Sequence, residues 1–267
     1  MEKSYTYKFN RGHVFTRVHI LITDLTYMRN GVCIAGVNLD TFKNIRPQRF
    51  SSNIQMDFIE TNNIYPCSIC TFAGTPKRNA VPPHTEDFRI RDNVTFRRFV
   101  SQNEWQELLQ HICCPSLPDM LNNSIQEDKW ITPGADVPSL SLIKLETKPI
   151  ISSITIKDNG STDIRASFTS GNMTFCLKVN DVQLVDFLSS RHRMQEIPTY
   201  SDDAYADDAY AGERFLQEIN DELFQKDAYT YVRIGLTRPY QEKCWLQING
   251  IYTERSDMLI RKFSAEQ

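Results

Sequence analysis

Two alternating segments near the end of the sequence constrain the fold more than any other feature. In residues 229–236 and 244–248, aromatic and β-branched side chains alternate with polar ones, which is the pattern of strands buried on one face. Pro239 and the polar residues that follow it supply a turn between the two segments. The sequence therefore predicts a β-hairpin over residues 229–252.

The first half of the chain carries strand patterns of its own. Strands are predicted in the segments 14–26, 32–39, 43–47, 54–60 and 65–72. Asn30-Gly31 is a hairpin signal, and Gly36 interrupts the second strand, as bulges do in highly curved barrels. Ser101 and Glu104 form a capping box ahead of an apolar stripe, which predicts a helix. Five strands and one helix match the small Greek-key barrel of the OB class; an SH3-like barrel and half of a β-sandwich are the alternatives.

The second half of the chain has a similar set of predicted strands and helices. Its predicted elements are the hairpin, strands at 150–157, 163–169 and 173–179, a helix at 182–188 capped by Asp181, and a helix at 213–225. Proline, serine and asparagine are frequent in 115–147, which indicates a connector laid over the surface. The predicted fold is all-β with minor helices. It consists of two tandem OB-like five-stranded barrels, at 12–114 and 148–263, joined by the connector.

An acidic segment at about 196–227 interrupts the second predicted barrel. Within it, Asp-Asp-Ala-Tyr-Ala occurs twice in direct succession, from Asp202 to Ala211. Low hydrophobicity and dense charge predict an exposed, mobile insertion. Duplication in a tolerated loop explains the repeat. The functional alternatives are an acidic strand that mimics nucleic acid and a cation-binding loop.

Composition sets the broad class of protein. The chain has 267 residues, a net charge of −3 and an apolar fraction of 40%, with no long apolar run and no secretory signal. We therefore expect a soluble, cytoplasmic protein without membrane association. Seven cysteines, an odd number, suit a reducing compartment. We expect buried free thiols, and the alternative is a zinc site built from Cys67, Cys70, Cys113 and Cys114. No metal or cofactor is predicted.

The hairpin supplies most of the candidate ligand-binding side chains. Planar, polar and cationic groups on a β surface suit a nucleic-acid base or a nucleotide, and OB folds bind ligands across a sheet face and its flanking loops. The candidates are Arg233, Arg238, Trp245, Gln247, Asn249 and Tyr252 on the hairpin, and Arg46 in the first barrel. The alternative is an ordinary half-exposed sheet, with Trp245 in the core and Arg238 in a structural role.

A second group of candidates lies in the first half. His84, Glu86 and Asp87 lie within four residues, so one loop could bring them to a metal ion or a proton-transfer site. In the structural alternative, Glu86 and Asp87 accept backbone hydrogen bonds and His84 pairs across the two barrels. The sequence has no glycine-rich phosphate loop with a following lysine, no Gly-x-Ser-x-Gly and no His-Glu-x-x-His. We predict no catalytic residue and place these three side chains among the ligand-binding candidates.

Motifs from both halves resemble those of a known family. They are Ile-Leu-Ile-Thr-Asp-Leu-Thr-Tyr-Met, Val-Cys-Ile-Ala-Gly-Val, Asn-Ile-Arg-Pro, Pro-Pro-His-Thr-Glu-Asp, Arg-Ile-Gly-Leu-Thr-Arg-Pro and Cys-Trp-Leu-Gln-Ile-Asn-Gly-Ile-Tyr, in this order over almost the whole chain. Together they resemble the bacterial dual OB domain proteins. The resemblance implies two OB folds in tandem, a nucleic-acid or nucleotide-derived ligand, and occurrence in prokaryotic conflict systems such as antiphage defence.

The predicted function is recognition without catalysis. The protein would bind nucleic acid or a nucleotide-like ligand by stacking and by arginine contacts to phosphate, as a component of an antiphage defence system. One alternative is an adaptor subunit that docks on a neighbouring protein effector through the acidic insertion or an exposed barrel face. A third possibility is an enzyme that acts on modified nucleotides through His84, Glu86 and Asp87.

Overall fold

Strands make up most of the regular structure and form two separate sheets. The structure, a computed structural model, describes residues 7–9, 13–50, 52–127, 129–158, 160–195, 207–224 and 229–253. None of the helices in these ranges is long and apolar enough to cross a membrane.

The first sheet closes into a five-stranded barrel, barrel 1. Its elements are β1 (Tyr7–Phe9), β2 (His13–Met28), β3 (Gly31–Asn38), β4 (Asn44–Arg49), α1 (Met56–Thr61), β5 (Ser68–Pro76) and β6 (Asp87–Phe99). The order is β2-β3-β4-β6-β5, and β5 pairs with β2 to close the ring, while β1 pairs with the start of β2. The β4–β6 pairing is parallel. Ile20, Ile22, Ile34 and Phe72 are among the buried residues of its core.

The second sheet forms barrel 2 with the same order of strands. Two helices precede it, α2 (Gln102–Ile112) and α3 (Leu117–Met120). Its other elements are β7 (Trp130–Ile131), β8 (Leu140–Lys144), β9 (Ile150–Ile156), β10 (Thr162–Ser170), β11 (Met173–Val179), α4 (Val182–Gln195), α5 (Asp207–Leu223), β12 (Thr230–Leu236) and β13 (Cys244–Thr253). The order is β8-β12-β13-β11-β10-β9, with β11 parallel to β13 and β7 beside β13. The prediction of an all-β protein with two OB-like barrels is confirmed.

The first strand of barrel 2 is split in two. β8 and β9 lie at opposite edges of the sheet but are separated in the chain only by residues 145–149. In barrel 1 the single strand β2 spans both positions, because its first part pairs with β5 and its later part with β3. Pro149 lacks the N–H needed to continue the ladder. The predicted connector, 115–147, thus contains α3, β7 and β8, and we propose that barrel 2 begins at β8 rather than at residue 148.

Three local predictions are confirmed. The two segments of 229–252 pair as the antiparallel hairpin β12–β13. Ser101 caps α2 and exchanges the two capping-box hydrogen bonds with Glu104. Asp181 caps α4 by accepting a hydrogen bond from the backbone N–H of Leu184 at 2.8 Å. Each of these features depends on groups that are close in sequence, so the local pattern was sufficient.

One strand prediction for barrel 1 is wrong, and one strand was missed. Residues 54–60, predicted as a strand, fold mainly as α1, in which Ile59 is fully buried. Apolar residues alternate there as in a strand, but Asp57 suits the first turn of a helix and the barrel buries Ile59. The fifth strand is β6 instead. Its arginines alternate with the buried residues Phe88 and Ile90, a strand signal that the interpretation of the sequence missed.

The acidic insertion lies partly outside the described residues. These exclude 196–206, with the first copy of the repeat, and 225–228. The second copy, 207–211, lies at the start of α5, and the mobility predicted for the insertion stays a prediction. Aspartate is stabilised at a helix N-terminus and alanine favours the helix. Further along, Phe215, Ile219 and Leu223 are buried in the core of barrel 2, at the helical spacing that was predicted.

A bulge bends β2 opposite Gly36. Thr23 is the extra residue between the pairs that join β2 to Gly36 and Ala35. The two strands approach so closely that a Cβ added to Gly36 would overlap the carbonyl oxygen of Leu21. The bulge expected from Gly36 is therefore present, and the residue after it, Asp24, is fully buried.

We expect Gly36→Ala to lower the free energy of unfolding by about 1–3 kcal/mol, because the extra carbon overpacks a close strand contact. Gly212→Ala is the matched control, since nothing lies within 4 Å of a Cβ added to Gly212 in α5. That substitution should raise the free energy of unfolding by about 0.5–1 kcal/mol. Urea unfolding measures both. Similar effects of the two substitutions would contradict the close approach at the bulge.

Candidate nucleic-acid interface and the seam between the barrels

The ten candidate residues separate into two groups. Eight line the contact between the two barrels, which we call the seam: Arg46, His84, Glu86, Asp87, Arg233, Arg238, Asn249 and Tyr252. The other two, Trp245 and Gln247, are half-buried residues of β13. The seam also has an apolar part, in which Trp105 of α2 packs edge-on against Tyr252 with ring centroids 5.4 Å apart.

Asp24 is the centre of the seam. Its carboxylate belongs to barrel 1 and accepts hydrogen bonds from two groups of barrel 2, Arg233 Nε at 3.2 Å and Asn249 Nδ2 at 3.3 Å. The hydroxyl of Thr23 donates a third, at 2.6 Å. Arg233 also donates from Nη2 to Asn44 Oδ1 in barrel 1, at 2.9 Å. A buried charge needs such partners. Barrel 2 therefore supplies hydrogen bonds to Asp24 in place of those that water would make to an exposed carboxylate.

A second bulge, in β13, places Asn249 in the seam. Asn249 is the extra residue of this bulge. Gly235 leaves space for the amide, because an added Cβ would lie 2.6 Å from Asn249 Oδ1. Gly250 likewise leaves space for Tyr252, whose hydroxyl oxygen would lie 2.6 Å from an added Cβ. That hydroxyl donates to the carbonyl oxygen of Thr23 at 2.9 Å. The two glycines of the hairpin thus make room for seam side chains.

A second polar cluster surrounds Asp87 at the edge of the seam. Its carboxylate accepts hydrogen bonds from Arg46 Nε at 2.9 Å, from Lys77 Nζ at 3.1 Å and from Gln48 Nε2 at 3.0 Å. Arg238 of barrel 2 reaches both oxygens at 2.7 Å. Burial acts to raise the pKa of Asp87, but the charges of Arg46 and Arg238 and the hydrogen bonds outweigh it, so the pKa is lowered. Asp87 therefore stays ionised and binds a cation from each barrel.

His84 bridges the barrels in its neutral form. Its Nε2 lies 3.0 Å from the carbonyl oxygen of Thr237, and its Nδ1 lies 3.0 Å from Arg46 Nη2. Because arginine only donates, we assign the proton to Nε2 and the acceptor role to Nδ1. Burial and the charges of Arg46 and Arg238 lower the pKa of His84 to about 4. The structural alternative, in which His84 pairs across the barrels, is confirmed.

Glu86 holds the same loop against barrel 2. It accepts hydrogen bonds from the backbone N–H and the hydroxyl of Ser139, each at 2.8 Å. Arg46 Nη2 donates to that hydroxyl at 2.8 Å. Within the described ranges, no three His, Cys, Asp or Glu side chains come together in a way that could hold a metal ion. All seven cysteines are free thiols; Cys67, Cys70 and Cys244 are buried as expected, but Cys33, Cys113 and Cys114 are half-buried and Cys176 is exposed.

Burial decides which candidates a ligand can reach in this structure. Arg233 and Tyr252 are each 1% exposed, and their polar atoms are engaged across the seam. Arg238 differs, because 43% of its side chain is exposed although it binds Asp87. The geometry thus supports a structural role for the buried seam residues. It leaves Arg238, together with the half-buried Trp245 and Gln247, accessible to a ligand.

An aromatic and cationic surface lies on barrel 2 beside the seam. Trp245 of β13 pairs with Trp130 of β7. The ammonium of Lys243 lies 4.5 Å from the Trp130 ring centroid and 5.3 Å from that of Trp245. Gln247 lies two residues further along β13, on the same face as Trp245. We define the tryptophan face as Lys129, Trp130, Lys243, Trp245 and Gln247.

Cys176 of β11 lies close enough to Lys129 to be affected by its charge. Burial acts to raise the pKa of its thiol, but hydrogen bonds with Ser167 and Ser152 and the charges of Arg165 and Lys129 outweigh it, so the pKa is lowered. Lys129 therefore acts on β11 from the tryptophan face. Lys243 lies over the indoles and Lys129 precedes Trp130 in the chain, so two cations accompany the rings, a suitable setting for a phosphate-bearing ligand.

Sequence reasoning missed three members of the tryptophan face, namely Lys129, Trp130 and Lys243. The first two lie in the predicted connector, because a strand of two residues produces no periodic pattern. Lys243 lies in the turn before β13 and was interpreted only as part of that turn. A tryptophan in an otherwise polar connector was the available signal, since so large a ring usually packs against a partner.

Two five-stranded Greek-key barrels in tandem define a dual OB protein. The family model for the Dual OB-containing domain matches residues 18–251, and the chain belongs to this family. No curated protein matches the chain.

Two solved structures match most of the chain at 8% sequence identity. One is the crystal structure of the tetrameric p202 HIN2, with a TM-score of 0.29, covering 95% of this chain and 96% of that chain. The other is the Ifi202 HINa domain in complex with 20bp dsDNA, with a TM-score of 0.32, covering 94% of this chain and 98% of that chain. Likenesses at these TM-scores carry no weight for the fold or the function of this protein.

We expect Arg233→Met to lower the free energy of unfolding by about 3–5 kcal/mol, because it leaves the carboxylate of Asp24 buried without its cation. Arg238→Met is the matched control. Arg238→Met should lower the free energy of unfolding by no more than about 2 kcal/mol, because Arg46 and Lys77 still bind Asp87. Urea unfolding compares the two variants. An Arg233→Met variant as stable as Arg238→Met would contradict the central role of the Asp24 cluster.

Proposed function

We propose that the chain is a non-enzymatic recognition module that binds nucleic acid or a nucleotide-like ligand on the tryptophan face. The observation that carries this proposal is the pairing of Trp130 with Trp245 beside the ammonium of Lys243. An aromatic side chain that stacks on a base contributes about 1–3 kcal/mol, and every base offers a flat face. Lysine neutralises phosphate, which gives an affinity that falls as salt rises.

Each member of the tryptophan face has a separate part in the proposed binding. The indoles of Trp130 and Trp245 provide the stacking surface. Lys129 and Lys243 lie beside them and neutralise phosphate. Gln247 offers an amide, which can donate to and accept from the polar edge of a base. Its Oε1 accepts from Asn180 and its Nε2 donates to Asn249 Oδ1, so these contacts fix its orientation.

We also propose a biological setting. The resemblance of the sequence motifs to those of bacterial dual OB proteins supports a role in a prokaryotic antiphage defence system, with the protein in the cytoplasm. A second candidate function is an adaptor that docks on a protein effector. The exposed acidic residues Glu213, Glu218 and Asp221 of α5 support it, because an acidic helix face suits a basic partner surface.

We expect Trp245→Ala to weaken binding of labelled single-stranded DNA or RNA by about tenfold or more, because it removes one stacking surface. Phe42→Ala is the matched control. It removes a ring that is 53% exposed on barrel 1, outside the tryptophan face, and should leave binding unchanged.

Fluorescence anisotropy over a salt series measures these affinities, and circular dichroism shows that each variant is folded. Two results would contradict the proposed site: Trp245→Ala binding as tightly as the parent, or both substitutions weakening binding equally. If the folded parent binds no strand and no mononucleotide at low salt, the recognition function itself is wrong and the adaptor is favoured.

A further inference from the structure

Barrel 1 carries a second group of cations and aromatic rings on its surface. The guanidinium carbon of Arg91 lies 3.9 Å from the ring centroid of Phe15, and that of Arg89 lies 5.5 Å from the ring centroid of Phe50. The two rings meet edge-to-face, with centroids 6.3 Å apart. Phe50 is 48% exposed. These four side chains, which we call the arginine row, combine the same two chemistries as the tryptophan face.

The arginine row begins at the seam. β4 and β6 run parallel, with Arg46 beside Asp87 and Gln48 beside Arg89. Alternate residues of a strand share one face, so Asp87, Arg89 and Arg91 point to the same side while Phe88 and Ile90 between them are buried. At about 3.3 Å per residue, Arg91 stands roughly 13 Å beyond Asp87 along the strand. The row therefore leads away from the seam across barrel 1.

Arg238 connects the tryptophan face to this row. The residue before it, Thr237, accepts a hydrogen bond from the backbone N–H of Trp245 at 2.8 Å and donates its own N–H to the carbonyl oxygen of Trp245 at 2.9 Å. Arg238 itself reaches across the seam to Asp87, the first residue of β6. Lys77 binds Asp87 from barrel 1. Arg238 and Lys77 thus lie between the indoles of the tryptophan face and the arginines of the arginine row.

Two acidic groups of β6, Asp87 and Asp92, lie next to these cations, and both are paired. The side chain of Asp87 is fully buried and is bound by Arg46, Lys77 and Arg238. Asp92, at the far end of the row, is 65% exposed but forms an ion pair of 2.6 Å with Arg49. With these two carboxylates paired, the exposed guanidinium groups of Arg91 and Arg238 can attract the phosphates of a ligand that passes them.

We propose that one strand of unpaired nucleic acid runs from the tryptophan face, past Arg238 and Lys77, onto the arginine row. This inference rests on the proposed function and specifies its ligand as a polymer. A mononucleotide stacked on the indoles contacts barrel 2 alone, whereas successive phosphates of a strand reach Arg89 and Arg91. The strand is single because rings stack on unpaired bases, and OB folds cover about 4–16 nucleotides.

The test compares two strands of thymidylate, one of about 3 and one of about 20 nucleotides. The variant Arg89→Gln/Arg91→Gln removes both cations of the row. The control Arg191→Gln/Arg214→Gln removes the same charge from α4 and α5, where each arginine forms a surface ion pair with a glutamate. Fluorescence anisotropy gives the affinities over a salt series, and thermal unfolding shows that all variants are folded.

We expect the Arg89→Gln/Arg91→Gln variant to bind the long strand roughly tenfold more weakly than the parent, with a salt slope smaller by about 1.4, since each phosphate contact of a single strand contributes about 0.7. Binding of the short strand should not change, and the control should match the parent with both strands. Trp245→Ala should weaken both strands.

Three results would overturn the proposal. If the Arg89→Gln/Arg91→Gln variant binds the long strand with the same affinity and the same salt slope as the parent, the arginine row is not part of the binding path. The proposed function would remain intact. A duplex of the same length that binds as tightly as the single strand would refute single-strand recognition. A parent protein that binds neither strand would refute the proposed function together with this inference.

Discussion

The buried ion pair between Asp24 and Arg233 is the interaction on which the rest of the structure depends. A charge in a protein interior is tolerated only when a partner compensates the lost hydration. Asp24 lies on barrel 1 and two of its donors lie on barrel 2, so neither barrel can bury its half of the cluster alone. The bulges at Thr23 and Asn249 and the open space at Gly235 all serve this contact. We infer that the two barrels fold as one unit.

The motifs that resemble the dual OB family all contribute to the seam or to its support. Asp24, Arg46 and His84 come from three motifs of barrel 1, and Arg233 and Asn249 come from the closing hairpin. The proposed ligand surface lies beside them and uses residues outside most of these motifs. We propose a physical basis for this division: a nucleic-acid strand that contacts both barrels binds best when the angle between the barrels is fixed. The seam fixes that angle, and in our proposal the outer faces supply the ligand contacts.

Much of the fold could be predicted from the sequence, because its signals are local. The hairpin pattern at 229–252 and the capping box at Ser101 act over a few residues. The helix at α1 was missed because its apolar residues happen to alternate, and only the closed barrel decides that Ile59 is buried. β7 and β8 were missed because short strands inside a proline-rich segment give no period.

The site was harder to predict than the fold. Alternation shows that Arg233 lies on one side of a strand, but the residue that covers that side, Asp24, is 209 positions away. The contact between Trp130 and Trp245 was hard to predict for the same reason, because the two residues meet only when β7 pairs with β13. The sequence shows which side chains have the chemistry to bind a base or a phosphate. Which of them are accessible to a ligand depends on burial against the other barrel.

Differential scanning calorimetry of the whole chain tests the central claim most directly. If the Asp24 cluster joins the barrels into one cooperative unit, a single transition should appear, and its calorimetric enthalpy should equal the van't Hoff enthalpy. Two separate transitions, or a calorimetric enthalpy about twice the van't Hoff value, would show that the barrels unfold independently and would contradict the account.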